Sequence, residues 1–162
     1  MRGYLIAISL CLTTVVRGQD ITSQQQAWEK AVEARHDAFV KRWGNGSDPS
    51  LRKELRVMYA RDQDARKFMM TLPPAQWTDS MGQQREMTDA DLTLQLKKIV
   101  KRKGWPTFRM VGVNGANHAL LILNHSADHV WQNEMLPQLE KLSEEGEIDA
   151  PEFAMFVDKV LV

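Results

Sequence analysis

The stretch ANHALLILNHSAD, residues 116–128, is apolar around nearly its whole helical circumference and then ends in polar and charged groups. A helix without a polar face is stable in a soluble protein only when other elements cover it on all sides. This stretch therefore predicts a buried central helix at about residues 116–127, with the rest of the chain packed around it.

The other segments show helical spacing between glycine and proline breaks. Apolar residues recur every three or four positions in residues 21–43, 51–70, 88–103, 130–145 and 150–160, and Thr88 is predicted to cap the third of these segments. Residues 75–87 are polar, which indicates an irregular connection with room for a short helix. Residues 107–113, TFRMVGV, are β-prone and allow one short extended segment. The pattern predicts an all-α, single-domain bundle of five or six helices.

The first residues have the pattern of a secretory signal peptide. Arg2 is basic, residues 4–16 are an apolar run too short to span a bilayer, and residues 16–18 offer a cleavage site. Cleavage after Gly18 leaves residues 19–48 as an N-terminal helix and loop and residues 49–162 as the helical core. We therefore predict a secreted or periplasmic protein with no stable membrane span after cleavage. A disordered or interfacial N-terminal anchor is the alternative interpretation.

Cysteine content and charge exclude several classes of function. Cys11 is the only cysteine and lies in the predicted signal peptide, so the mature chain has no thiol for disulfides, catalysis or metal binding. The chain has 21 basic and 21 acidic residues, and removal of Arg2 and Arg17 leaves 19 basic residues against 21 acidic ones. This balance gives no indication of a nucleic-acid partner.

Two polar stretches fall where the apolar periodicity predicts burial. In residues 60–68, ARDQDARKF, Asp62 and Arg66 are one helical turn apart and can pair, with Gln63 beside them. The second stretch, at the end of the central helix, contains Asn124, His125, Asp128, His129 and Gln132. Buried groups of these kinds need hydrogen-bond partners, and the free carbonyls of a helix end need donors. We expect the two stretches to meet in one polar network.

A metal site is one alternative for the histidines. On an unbroken helix His118, His125 and His129 would share one stripe, and three imidazoles suffice for an open zinc site. No glutamate stands in an HExxH arrangement with them, and a new helix capped by Asp128 would turn His129 away. We therefore predict no metal and no other cofactor, with these three histidines as the alternative ligand set.

Binding is the main functional interpretation, and its occupant is a small molecule, a cell-envelope component or a protein. The predicted pocket comprises Asp62, Gln63, Arg66, Asn124, His125, Asp128 and Gln132, with Trp105 as its roof. The alternative is a hydrolase in which His125 is the general base and Asp128 or Asp62 orients it. Arg66 would then stabilise the developing negative charge. A second alternative is a structural or inhibitor-type interaction protein that acts through its surface.

Four elements together resemble a bacterial family of uncharacterised proteins. These elements are RDQDAR (61–66), GWPTFRMVG (104–112), ALLILNHSAD (119–128) with Gln132, and FAMFVDKV (153–160), and the similarity covers about residues 50–162. The family carries Asp-Gln-x-x-Arg, Gly-Trp-Pro, Gln-His-Ala-Asp and Ala-x-x-x-Asp-Arg-Val elements. The positions that match are Asp62, Gln63, Arg66, Trp105, Pro106, His125, Asp128, Gln132 and Asp158.

The sequence departs from the family pattern in three places. Asn124 stands where the family has glutamine, Ser126 is inserted before Ala127, and Lys159 replaces arginine. Lysine keeps the positive charge but loses the two-pronged hydrogen bonding of a guanidinium group. The resemblance implies a shared fold and a shared set of positions, and it implies no activity.

Overall fold

The computed structural model describes the backbone of residues 5–161 and the side chains of residues 22–67 and 71–161. Within these residues the chain forms six α-helices and one short 3-10 helix, and no strand. They are α1 (Leu5–Trp43), α2 (Pro49–Thr71), the 3-10 helix (Pro74–Gln76), α3 (Asp79–Lys103), α4 (Phe108–His125), α5 (His129–Glu144) and α6 (Ala150–Leu161). The predicted all-α class is confirmed.

The chain divides into two units, residues 1–41 and residues 42–162. The first unit contains most of α1, and its described side chains, from residue 22 onward, are largely exposed. The predicted signal peptide, residues 1–18, lies outside the residues whose side chains are described, and it stays a prediction. No helix in the described part of the chain has an apolar stretch long enough to cross a bilayer.

The predicted central helix is present as α4. It packs against α2, α3 and α6, and Ala119, Ile122 and Leu123 on it are at most 1% exposed. Burial on several sides explains why its sequence lacks a polar face. The helix starts earlier and ends sooner than the predicted residues 116–127. It ends at His125 because Ser126 is extended (φ −60°, ψ 137°).

Residues 107–113 form the N-cap and the first turns of α4, so the predicted short extended segment is wrong. Phe108 and Val111 are completely buried in those turns, and the burial outweighs the β propensity of the sequence. Gly112 (φ 70°, ψ 174°) interrupts the helix. A Cβ atom at this position would lie 2.7 Å from the carbonyl oxygen of Gly44, so the close approach of the loop before α2 requires glycine.

α3 begins at Asp79, so the prediction of an irregular connection through residue 87 is wrong. Thr78 caps the helix, and its hydroxyl accepts a hydrogen bond from the backbone N–H of Met81 at 3.4 Å. Thr88 lies inside the helix, where its hydroxyl donates to the carbonyl of Gln84 at 2.9 Å. The first half of α3 is largely exposed, and an exposed helix needs no apolar stripe to mark it in the sequence.

Candidate functional site

Asp62 is the centre of a polar network at one end of the bundle. Its side chain on α2 is fully buried, and both of its oxygens are hydrogen-bonded. Oδ1 accepts from Arg66 Nη1 at 2.8 Å and lies 2.7 Å from His125 Nδ1, while Oδ2 accepts from Gln63 Nε2 at 2.8 Å. The predicted meeting of the two polar stretches therefore occurs at this one carboxylate.

Arg66 is held between two carboxylates. Besides its contact with Asp62, its Nη2 donates to both oxygens of Asp89 on α3, at 2.8 and 2.9 Å. The hydroxyl of Thr93 donates to the backbone carbonyl of Asp89 at 2.7 Å, one turn along α3. A guanidinium group with two carboxylate partners is fixed in position, and its charge is neutralised within the network.

His125 presents one ring nitrogen to the network and borders open space with the rest of its ring. It is the last residue of α4, and its side chain is 23% exposed. A carboxylate only accepts hydrogen bonds, so Nδ1 carries a proton and donates to Asp62. In the neutral ring, Nε2 then has a free lone pair that can accept a proton or a hydrogen bond.

Gln132 closes the end of α4. It is fully buried on α5, and its amide nitrogen donates to the carbonyls of Leu123 at 2.9 Å and Ser126 at 3.0 Å, with a longer contact of 3.4 Å to Asn124. Its amide oxygen accepts from His129 Nδ1 at 2.9 Å. The last carbonyls of a helix have no partner within the helix, so this amide has a structural role.

Asp128 does not join the Asp62 network. Its Oδ1 accepts from the backbone N–H of Trp131 at 3.0 Å and so caps α5, and its Oδ2 pairs with Lys97 of α3. The hydrogen bond from Lys97, followed by that from Trp131, lowers the pKa of this carboxyl group below its ordinary value. Of the two carboxylates predicted to orient His125, Asp62 makes that contact and Asp128 does not.

A cleft of about 480 Å³ opens beside the network. It is lined by Arg66, Arg85, Glu86, Asp89, His125, Ser126, Ala127, His129 and Lys159. Arg85, Asp89 and Lys159 are not among the residues predicted for the site. The i,i+4 spacing of Arg85 and Asp89 places them on one face of α3 and is the sequence signal that could have found them.

Trp105 and Asn124 lie outside this lining. Trp105 is 2% exposed and belongs to the core, so it does not roof the cleft. Its indole Nε1 is buried without a hydrogen-bond partner among the described residues. The backbone carbonyl of Asn124, rather than its side chain, takes part in the hydrogen bonds near the cleft. It accepts from Gln132 and from Lys159 of α6.

The three histidines do not form a stripe. α4 ends at His125, and His129 is the first residue of α5. His118 stacks on Tyr59 of α2, with ring centroids 4.1 Å apart and planes 15° from parallel. Within the described residues, no group of three histidine, aspartate, glutamate or cysteine side chains is placed to hold a metal ion.

The arrangement thus combines a rigid, internally paired network with an open polar cleft. No curated protein and no solved structure matches the chain. A family model described as a family of unknown function, DUF6624, matches residues 49–162, which include every residue of the network and the cleft. The chain therefore belongs to DUF6624, a family of unknown function.

Proposed function

We propose that the protein binds a small ligand in the cleft beside the Asp62 network. The observation that carries this proposal is the position of His125, which is anchored to Asp62 on one side and lines the cleft on the other. A ligand group that meets His125 would meet a side chain already held in place, so little conformational entropy is lost on binding. A concave site with a few oriented polar groups is the usual form of a small-molecule site.

A cleft-filling variant tests this proposal. A thermal-shift screen across sugars, nucleotides, peptidoglycan fragments and organic acids identifies ligands that stabilise the wild-type protein. Ala127, which is exposed and lines the cleft, is changed to phenylalanine, and the exposed Ala75 outside the cleft is changed in the same way as a matched control. We expect Ala127→Phe to abolish the shift and Ala75→Phe to keep it. Shifts that survive in Ala127→Phe would place the ligand elsewhere and refute the proposal.

Hydrolysis is the second candidate, because Asp62 and His125 form a carboxylate–imidazole pair. Asp62 orients the ring, and Nε2 can take a proton from a water molecule that attacks a substrate in the cleft. Arg66 suits the proposed charge-stabilising role less well, because its guanidinium group is already paired with two carboxylates.

His125→Asn separates the two candidates. In a hydrolase this change removes the general base and abolishes turnover of an ester or amide substrate, while ligand affinity falls much less. In a binding protein, no turnover above the buffer rate occurs with either the wild-type protein or the variant. Turnover that is unchanged in His125→Asn would exclude the general-base mechanism.

We further propose that the protein acts outside the cytoplasm, as a secreted or periplasmic protein. The basic start, the short apolar run and the small residue Gly18 support this proposal. Mass spectrometry of the protein from its source should find a mature chain that begins at Gln19. A full-length chain that begins at residue 1 and stays inside the cell would contradict it.

A further inference from the structure

Two cations that line the cleft, Arg85 and Lys159, lie outside the ion pairs that Arg66 makes with Asp62 and Asp89. Asp89 places both oxygens on Arg66, although its charge also acts on Lys159. Glu86 is 71% exposed, and its nearest approach to Arg85 is 3.7 Å. An ion pair as exposed as this one is weak, so the guanidinium group of Arg85 is available to bind a ligand.

Lys159 is the second such cation. It lies in the last turn of α6 and donates a hydrogen bond to the backbone carbonyl of Asn124, which directs its ammonium group to the end of α4. Burial is the main cause that lowers its pKa, followed by the nearby positive charge of Arg66, while the charge of Asp89 acts in the opposite direction. Lys159 and Arg85 therefore line the same cleft, where a bound anion would meet both positive charges.

The remaining lining is polar. Ala127 is the only apolar residue that lines the cleft in the described part of the chain, and the other lining residues end in polar or charged groups. Two imidazoles, those of His125 and His129, border the same space. Their Nδ1 atoms donate to Asp62 and Gln132, so Nε2 of either ring can donate to an oxyanion only when that ring is protonated, whereas ammonium and guanidinium groups donate to oxyanions in every case.

We infer that the ligand carries a compact oxyanion, a phosphate or a carboxylate group, bound between Lys159 and Arg85 beside His125. This inference rests on the proposed binding function and names the ligand class for that site. Lys159 supplies a point charge, and Arg85 supplies a planar fork that can bind two oxygens of the anion together.

Isothermal titration calorimetry on the full chain tests the inference. The probes are inorganic phosphate, acetate and, as the uncharged comparison, glucose, all at one fixed ionic strength. The variants are Lys159→Gln and Arg85→Gln. Lys101→Gln is the matched control for the lysine because Lys101 is also an exposed lysine in the last turn of a helix. Arg56→Gln, at an exposed arginine of α2 outside the cleft, is the control for the arginine.

We expect phosphate or acetate to bind and glucose not to bind. The anion that binds with the lower Kd shows whether the ligand carries a phosphate or a carboxylate group. Loss of one charged hydrogen bond should weaken Kd roughly tenfold in Lys159→Gln and in Arg85→Gln, with the two controls unchanged. Equal weakening in the controls would show adventitious anion binding and overturn the inference, as would absence of binding by both anions. If glucose binds, neither anion binds and Ala127→Phe blocks the binding of glucose, the cleft is a binding site but its ligand is not an oxyanion, which overturns this inference and keeps the proposed function.

Discussion

His125 Nδ1 lies 2.7 Å from Asp62 Oδ1, although 63 positions separate the two residues in the chain. This contact ties the end of the central helix α4 to the middle of α2 and fixes the orientation of the imidazole ring. A fully buried carboxylate is tolerated here because three side chains donate to it. The stability of this end of the bundle and the geometry of the cleft therefore depend on the same residue.

Removal of the Asp62 carboxylate should destabilise the fold strongly. Asp62→Ala leaves the donors of His125 and Gln63 without their buried acceptor and leaves Arg66 with Asp89 alone. We expect the free energy of unfolding, measured by urea titration, to fall by about 3–5 kcal/mol. Asp64→Ala, at an exposed position of the same helix, should change it by less than about 0.5 kcal/mol. Similar losses in both variants would show that the network contributes nothing specific.

Gln132→Leu should have a smaller but clear effect. Leucine fills a similar volume but donates no hydrogen bond, so the carbonyls of Leu123 and Ser126 lose their buried partner. The free energy of unfolding should fall by about 3 kcal/mol. Gln138→Leu, on the exposed face of α5, is the control and should be close to neutral. A neutral result for Gln132→Leu would mean that water satisfies these carbonyls.

Gly112 and Gly82 should respond in opposite directions to alanine. At Gly112 the backbone is left-handed (φ 70°), and an added Cβ meets the carbonyl oxygen of Gly44 at 2.7 Å, so the loss should be at least about 2 kcal/mol. At Gly82, inside α3, a Cβ would have no neighbour within 4 Å. Alanine should therefore stabilise the helix there by about 0.5–1 kcal/mol. Differential scanning calorimetry gives both values, and a stable Gly112→Ala variant would contradict the close packing described for this turn.

His118 should make the stability depend on pH. Burial lowers its pKa below the ordinary value, and its Nδ1 has no hydrogen-bond partner among the described residues. As the pH falls below about 6.5, the unfolded chain takes up the proton first, so the stability present at higher pH is lost on acidification.

Urea titrations at about pH 7.5 and about pH 5.5 measure this effect. His118→Phe keeps a ring to stack on Tyr59 but cannot take up a proton, so its stability should fall less than that of the wild-type protein over this interval. If the two proteins lose the same stability, other groups carry the pH dependence.

The helical class and the core of the network were predictable because both depend on local spacing. Asp62 and Arg66 stand one turn apart on the same helix, and this spacing predicts their ion pair directly. Their meeting with His125 followed from a weaker argument, namely that buried polar groups must find partners. Helix ends were harder to predict, since Ser126 ends α4 and thereby separates Asp128 and His129 from His125.

The residues that complete the cleft depend on tertiary packing. Asp89 reaches Arg66 only because α3 packs against α2, and Lys159 reaches the end of α4 only because α6 packs there. The spacing of Asp89 from Arg85 marks a shared helix face but does not say what that face meets, and no spacing pattern marks Lys159. Residues 107–113 show the same limitation, because burial of Phe108 and Val111 selected a helical turn over the extended form that their β propensity favours.

NMR of the imidazole groups tests the central claim most directly. A spectrum that correlates ring nitrogens with ring protons identifies the nitrogen that carries the proton, and His125→Asn assigns the signals of His125 by their loss. The account predicts a proton on Nδ1 that exchanges slowly with water because it is bonded to the buried Asp62 carboxylate. A proton on Nε2 with a bare Nδ1 would contradict the hydrogen bond from His125 to Asp62, and with it the anchored imidazole on which the proposed binding function rests.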